Sequence, residues 1–204
     1  MKQTANVAVL VSGGGTNLQA LLDAEKSGIL HSGAIRLVIS NKAGAYALTR
    51  AEAAGVKTAT VLKKDFPDPA AFEDELQRLL EENGIDLIVL AGFLRILSAG
   101  FTARWPKRIL NVHPSLIPSF CGEGYYGLKV HEAALKRGVK LTGATVHFVN
   151  EIPDGGEILL QKSVPVAPGD TPETLQRRVM EQAEWLLLPE ATQLVCETIM
   201  NKGE

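Results

Sequence analysis

"NVAVLVSGGGTNLQALLD", residues 6–23, runs an apolar segment through three consecutive glycines straight into a helical pattern. Asn6 to Val11 is almost continuously apolar, as expected of a strand covered on both faces in a parallel sheet. Beyond the glycines, Leu18, Leu21 and Leu22 recur at helical spacing and mark one buried face. A strand that turns through glycine directly into a helix is the opening unit of a βαβ arrangement. Successive glycines let backbone N–H groups converge, and the helix N-terminus behind them adds partial positive charge, so the loop suits an anion. Gly14, Gly15, Thr16 and Asn17 are its candidate ligands, the last two through their side chains. A tight turn that only seats the helix on the sheet needs the same glycines. The position at the carboxyl end of the first strand favours a ligand, because open α/β sheets bind there.

The spacing narrows the anion. A Walker loop ends in Gly-Lys-Ser/Thr, whereas Thr16-Asn17 stands here where lysine would. A dinucleotide loop spreads its glycines over six positions and has a carboxylate about 20 residues on. Here Ser40-Asn41 closes the second apolar run instead. A phosphate monoester is the expected ligand.

The alternation continues outward from this unit. Strands are expected over 35–40, 56–61, 85–91, 108–112, 142–149 and 157–166, making seven with the first. A helix is expected from about Ala45 to Gly55, a brief one before Pro106, and another over 129–137. The clearest helix is "DPAAFEDELQRLLEENG", residues 68–84. Asp68 suits its N-cap, Pro69 its first position and Gly84 its C-terminal cap, with Phe72, Leu76, Leu79 and Leu80 on one face. A last long helix starts at Asp170, Pro172 and Glu173, and Pro189 should kink or interrupt it. Residues 114–128 read as a long loop. The expected fold is α/β, an open, mostly parallel twisted sheet of about seven strands with helices on both faces, forming a single domain over residues 1–204.

Composition sets the class. The chain has 204 residues, 46% of them hydrophobic, with a net charge of −2. No basic excess points to nucleic acid, and no apolar run is long enough for a signal peptide or a membrane span. Neither nucleic-acid nor membrane partners are expected, and the two cysteines, Cys121 and Cys196, suit a reducing cytoplasm. His113, His131, His147 and Cys121 lack the short-range pairing of a metal site, so no metal is expected. Ser12, Ser115 and Cys121 lack the setting of a nucleophile.

"ILNVHPSLIP", residues 109–118, places Asn111 and His113 two apart on a strand and therefore on one face, before Pro114 ends it. An amide and an imidazole side by side can stabilise a developing oxyanion. They can equally satisfy a turn. "VHFVNEIPDGGEILLQ", residues 146–161, puts Asp154 in a glycine-rich turn with His147 upstream. Asp-Gly is a turn signal in itself, yet a carboxylate beside an imidazole raises its pKa and relays protons. Tyr125 and Tyr126 suit either an aromatic ligand or packing within their own loop.

Taken in order, VSGGGTNLQAL, ISNKAGAYALTRA, LAGFLRIL, LNVHPSLIPSF, TGATVHFV and DGGEILLQ resemble the phosphoribosylglycinamide formyltransferase family nearly end to end. That resemblance implies a Rossmann-like formyltransferase fold. It implies transfer of the formyl group of 10-formyltetrahydrofolate, a co-substrate, to the amino group of glycinamide ribonucleotide in de novo purine biosynthesis. It makes Asn111, His113 and Asp154 catalytic, with a protonated His113 kept charged by Asp154 and His147 in support. It places the ribonucleotide at Gly14, Gly15, Thr16, Asn17, Pro114 and Glu184. The folate falls at Leu94, Arg95, Ile96, Leu97, Asn111, Val149 and Asp154. The expected assembly is a monomer or weak homodimer.

Three departures stand out. The loop from Ser119 to Gly127 is longer than in shorter bacterial members. One extra residue lies between Val179 and Pro189, with Trp185 where a histidine usually follows the glutamate. Pro69 replaces an arginine that contacts folate in relatives, leaving Lys63 or Lys64 to hold the folate tail. Rival readings are another formyl-transferring or formyl-hydrolysing enzyme on this fold, or a non-catalytic sensor of phosphoribosyl ligands. A tRNA-directed relative is expected to add an RNA-binding domain, and a hydrolase an N-terminal regulatory one.

Overall fold

The computed structural model describes residues 4–201. Its strands are β1 (Ala5–Val11), β2 (Gly33–Ser40), β3 (Lys57–Thr60), β4 (Leu87–Leu90), β5 (Ile109–His113), β6 (Leu141–Phe148) and β7 (Ile158–Pro165). They form one sheet in the order β3-β2-β1-β4-β5-β6-β7. The first five run parallel, β6 is antiparallel to β5, and β7 is antiparallel to β6. From β1 the chain builds one way through β2 and β3 and the other way through β4 and β5. The crevice between the carboxyl ends of β1 and β4 is therefore the point where strand order reverses, which is where such sheets take ligands.

The helices are α1 (Thr16–Ser27), α2 (Tyr46–Ala53), α3 (Pro69–Glu82), α4 (Ala99–Thr102), α5 (Leu128–Arg137), α6 (Pro172–Val179) and α7 (Trp185–Asn201). The residues of β1 alternate between two cores. Val7, Val9 and Val11 join Leu18 and Leu21 of α1 and Leu188 and Ala191 of α7. Ala8 and Leu10 join Phe72, Leu76 and Leu80 of α3. Both faces are covered, which explains the unbroken apolar runs. Each fully buried large aliphatic side chain stabilises the fold by about 1.5–3 kcal/mol.

The expected boundaries hold to within a few residues. In α3, Asp68 accepts the Ala71 N–H at 2.8 Å and Gly84 takes φ 57° just past the end. Two expectations need correction. The last helical region is capped by Thr171, which accepts the Thr174 N–H at 3.3 Å, and not by Asp170. Asp170 instead pairs with the Arg178 fork, at 2.6 Å to Nη2, which draws its carboxyl down to about 2. Nor does Pro189 interrupt anything, since α7 runs through it to Asn201. The irregularity lies just upstream, where Met180–Glu184 winds as a π-helix. The Trp185 N–H there reaches back to the Met180 carbonyl.

Candidate active site

The glycine loop is held from below by side chains. Ser12, 3% exposed, donates to Asn41 Oδ1 at 2.7 Å and accepts the Leu94 N–H at 2.9 Å. One hydroxyl thus ties together the segments that leave β1, β2 and β4. Gly15 takes φ 73° at the N-cap of α1, and a Cβ there would lie 2.6 Å from the Ala47 Cβ. Both its conformation and its contact with α2 demand glycine. Gly13 and Gly14 are exposed and open above the backbone, with nothing within 4 Å of an added Cβ. Arg50 braces the loop from behind, its Nε donating to the Gly14 carbonyl at 2.9 Å.

Asn17 is committed differently from the expectation that its side chain faces the anion. Its Nδ2 donates to Glu184 Oε2 at 2.8 Å, while its Oδ1 is buried without a hydrogen-bond partner in the protein. Glu184 is 6% exposed, and burial pushes its carboxyl up to about 7 against the pull of the Asn17 amide. The chain reaches Glu184 through the π-helix, whose wider turn holds one residue more than an α-helical turn. Glu184 thereby stays aimed at the glycine loop.

The second half of the site is centred on Asp154. Asn111 and His113 project from the end of β5, and His147 sits directly opposite Asn111 on β6. Asp154 Oδ2 lies 3.4 Å from His113 Nδ1 and accepts the Gly122 N–H at 2.8 Å. Its Oδ1 lies 3.5 Å from both His147 Nε2 and Asn111 Nδ2. Burial pushes the Asp154 carboxyl up, but the His147 contact, the His113 ring and the Gly122 N–H together outweigh it and leave the carboxyl below its usual value. His113 behaves contrary to expectation. Burial pushes its pKa below the ordinary imidazole value, and the upward effects of Asp154 and of the Phe120 carbonyl do not offset it. The ring is set to be neutral near pH 7, because it is 4% exposed and desolvation penalises its charge.

The loop that follows β5 supplies backbone groups to this cluster. His113 Nε2 donates to the Phe120 carbonyl at 2.8 Å, and Phe120 holds φ 52°. Phe120 and Tyr125 meet edge to face, their ring centroids 6.4 Å apart. The Tyr126 ring lies 4.5 Å from Lys129 Nζ. Within the Asp154 turn, a Cβ on Gly156 would fall 1.7 Å from the Phe148 carbonyl oxygen, so the second glycine admits a close approach of backbone to backbone.

The segment after β4 has the character expected of a slot. Leu94 and Ile96 are exposed and Leu97 is buried. The Arg95 guanidinium stacks 4.6 Å over the Phe72 ring. Val149 donates its N–H to the Ile109 carbonyl at 2.9 Å and is half-buried, as is Pro114 beyond His113. Glycine loop, β4 end and Asp154 cluster thus gather at the carboxyl ends of the central parallel strands. Sequence reading missed Ser12, Arg50, Phe120 and Gly122. The last two act through their backbone and carry no side-chain signal. Ser12 was legible only as the residue before the glycines. Among the described residues no group of three or more His, Cys, Asp or Glu side chains is placed to hold a metal ion. None of their helices is long and apolar enough to cross a membrane.

Comparison with known proteins is consistent along the chain. The formyl transferase family matches residues 5–192. The chain is 48% identical over 202 residues to the trifunctional purine biosynthetic protein adenosine-3 of Bos taurus, covering 98% of this chain and 19% of that protein. It therefore spans about a fifth of the length of such relatives. It is 45% identical over 183 residues to the phosphoribosylglycinamide formyltransferase of Haemophilus influenzae, covering 90% of this chain and 83% of the other. The crystal structure of glycinamide ribonucleotide transformylase 1 from Symbiobacterium toebii superimposes with a TM-score of 0.90 at 42% identity. That match covers 97% of this chain and 90% of that one.

Proposed function

The chain belongs to the formyl transferase family, and from that premise we propose that it moves the formyl group of 10-formyltetrahydrofolate to the amino group of glycinamide ribonucleotide, a step of purine biosynthesis. The observation that carries this reading is the convergence of Asn111, His113 and Asp154 within 3.5 Å contacts at the carboxyl ends of the central parallel strands, where the glycine loop also lies. The ribonucleotide phosphate lies on the backbone of Gly14, Gly15 and Thr16 at the start of α1, with Arg50 adding positive charge behind it. Glu184 accepts hydrogen bonds from the ribose hydroxyls, and Pro114 borders the same pocket. The pteridine occupies the slot between residues 94–97 and Val149, where backbone groups and apolar surface recognise its edge.

In the reaction the ribonucleotide amine attacks the formyl carbon, and the carbonyl pair moves to oxygen. Asn111 Nδ2 donates to that oxyanion. The amine loses its proton in the same step, and neutral His113, beside the Asp154 carboxylate, is poised to accept it. The new negative charge raises the proton affinity of the ring, which is the state that stabilises the intermediate. Collapse breaks the bond to the folate nitrogen, whose electron pair takes up the proton that Asp154 and His113 hold. Atoms and charge balance without a metal. We assign the reaction to the cytoplasm, in keeping with two cysteines that form no disulfide.

The test is a purified-protein assay that follows tetrahydrofolate release with and without the ribonucleotide. Release that requires the ribonucleotide and yields its formylated product is the expected result. Release without it would make the protein a hydrolase, and absence of release would leave a sensor. Replacing His113 by Ala should lower kcat by about 100- to 1,000-fold, the usual cost of one oxyanion-stabilising group, with ribonucleotide affinity little changed.

A further inference from the structure

His147 is 2% exposed and lies in contact with two members of the catalytic cluster, Asn111 and Asp154. Its Nδ1 is 2.9 Å from the Phe148 carbonyl. A carbonyl oxygen only accepts, so Nδ1 carries a proton, and in the Nδ1–H tautomer Nε2 presents a lone pair. That lone pair faces Asn111 Nδ2 at 3.2 Å. The amide of an asparagine has a donating and an accepting end, and the two differ little in shape. What selects between them is the neighbour. Here the neighbours on that side are both acceptors, His147 Nε2 and Asp154 Oδ1, the latter 3.5 Å from Nδ2.

We propose that His147 is a positioning residue that sets the orientation of the Asn111 amide: its Nδ1–H tautomer, locked by the Phe148 carbonyl, holds the NH2 end toward Asp154 and the reacting oxygen. This rests on the formyl-transfer reading, because it assigns Asn111 the role of oxyanion donor. One N–H of the amide is spent on His147. The second makes only the 3.5 Å contact to Asp154 Oδ1 and turns from it to an entering oxygen. With the amide reversed, a carbonyl oxygen would confront that oxyanion and repel it.

The backbone around His147 is built to keep this tautomer. His147 and Asn111 are direct partners across the antiparallel β5–β6 ladder, so their side chains share one face. The β6–β7 pairing shifts register between Val146 and His147, a bulge of the kind that re-aims a side chain beside a site. The Phe148 N–H donates to the Glu157 carbonyl at 2.9 Å, which fixes the peptide next to the locking carbonyl. That carbonyl is also the group against which Gly156 packs, where a Cβ would come within 1.7 Å. The second glycine of the Asp-Gly-Gly turn therefore leaves the Phe148 oxygen where His147 Nδ1 needs it.

Two measurements test the assignment. Nitrogen NMR of the histidine-labelled wild-type protein at pH 7.5, with His147 identified by comparison with a His147→Gln variant, should show a proton on Nδ1 and a bare Nε2. This readout is independent of substrate, so it stands even if the acceptor named above is wrong. A proton on Nε2 in that spectrum overturns the proposal. The second measurement is a double-mutant cycle on single-turnover formyl transfer. His147→Ala should lower the rate by about 10-fold, a part of the roughly 100- to 1,000-fold that complete loss of an oxyanion donor costs, with both KM values unchanged. In an Asn111→Ala background the same change should cost less than about 2-fold, because the residue acts through Asn111. His147→Gln, which offers a side-chain carbonyl to the amide, should recover part of the rate. An equal loss in both backgrounds would mean that His147 acts on Asp154 instead, and the proposal would fall.

Discussion

Two buried ionisable groups near the site leave opposite marks on stability. His131, on α5, is fully buried, and neither ring nitrogen has a hydrogen-bond partner in the protein. Burial, with a smaller push from His113, takes its pKa from 6.5 to about 4. The unfolded chain then binds more protons between these values, so stability is intact above pH 6.5 and falls as the pH drops toward 4. At about 1.4 kcal/mol per pH unit the loss is about 3 kcal/mol. Urea titrations from pH 7 to pH 4 should show it, and a His131→Asn variant should lack that part of the acid limb. Glu184 has the reverse sign. Its folded pKa is raised from 4.5 to about 7, so the native state holds the extra proton and stability is lost as the pH rises through 7. Glu184→Gln should therefore melt above the wild type at pH 8 and converge with it at pH 4. At pH 8 it should also bind the ribonucleotide more weakly, since an amide there replaces a carboxylate. Equal melting at both values would remove the burial argument.

At the scale of elements, the π-helix at Met180–Glu184 joins α6 to α7 through one wider turn. α6 packs on α5, and α7 packs on α1, so neither helix is free to rotate. One further alanine inserted after Gln182 has no comparable wide turn to enter. It should swing Glu184 by about 100° around the helix axis and abolish ribonucleotide binding, read by calorimetry, while far-ultraviolet circular dichroism stays helical. Retained binding would mean that Glu184 does not face the ligand. The same region shows where a sequence rule gives way. Proline was expected to break the last helix, because it lacks an N–H and crowds the carbonyl four residues back. Pro189 follows the π turn, and the irregularity falls upstream of the proline.

For the whole molecule, the ligand crevice is assembled from the ends of β1, β4 and β5 and from the turn between β6 and β7. These segments are far apart in the chain, and Ser12 and Asp154 are the side chains that join them. A ligand that spans them should raise global stability and not merely local order. At 100 times its dissociation constant, the ribonucleotide should add about 2.7 kcal/mol, measurable as a concentration-dependent rise in Tm. Disruption of the Gly122–Asp154 bond should reduce the corresponding effect of folate. No rise with either ligand would count against a shared crevice.

Local pattern carried the strands, most helices and the glycine loop, because burial on both faces of a parallel sheet forces apolar runs and the caps of α3 are written in adjacent residues. Asn111, His113 and Asp154 were also legible, through their strand end, their turn and the family resemblance. The tertiary structure decided what depends on distance between remote atoms. It showed that Asn17 serves Glu184, that Met180–Glu184 winds as a π turn, and that α7 runs through Pro189. It also showed that burial lowers the pKa of His113 despite its carboxylate neighbour. The physical reason is common to all of them. Desolvation, amide orientation and backbone contacts such as Phe120 on His113 are properties of the packed interior, and neighbours in the chain do not specify them.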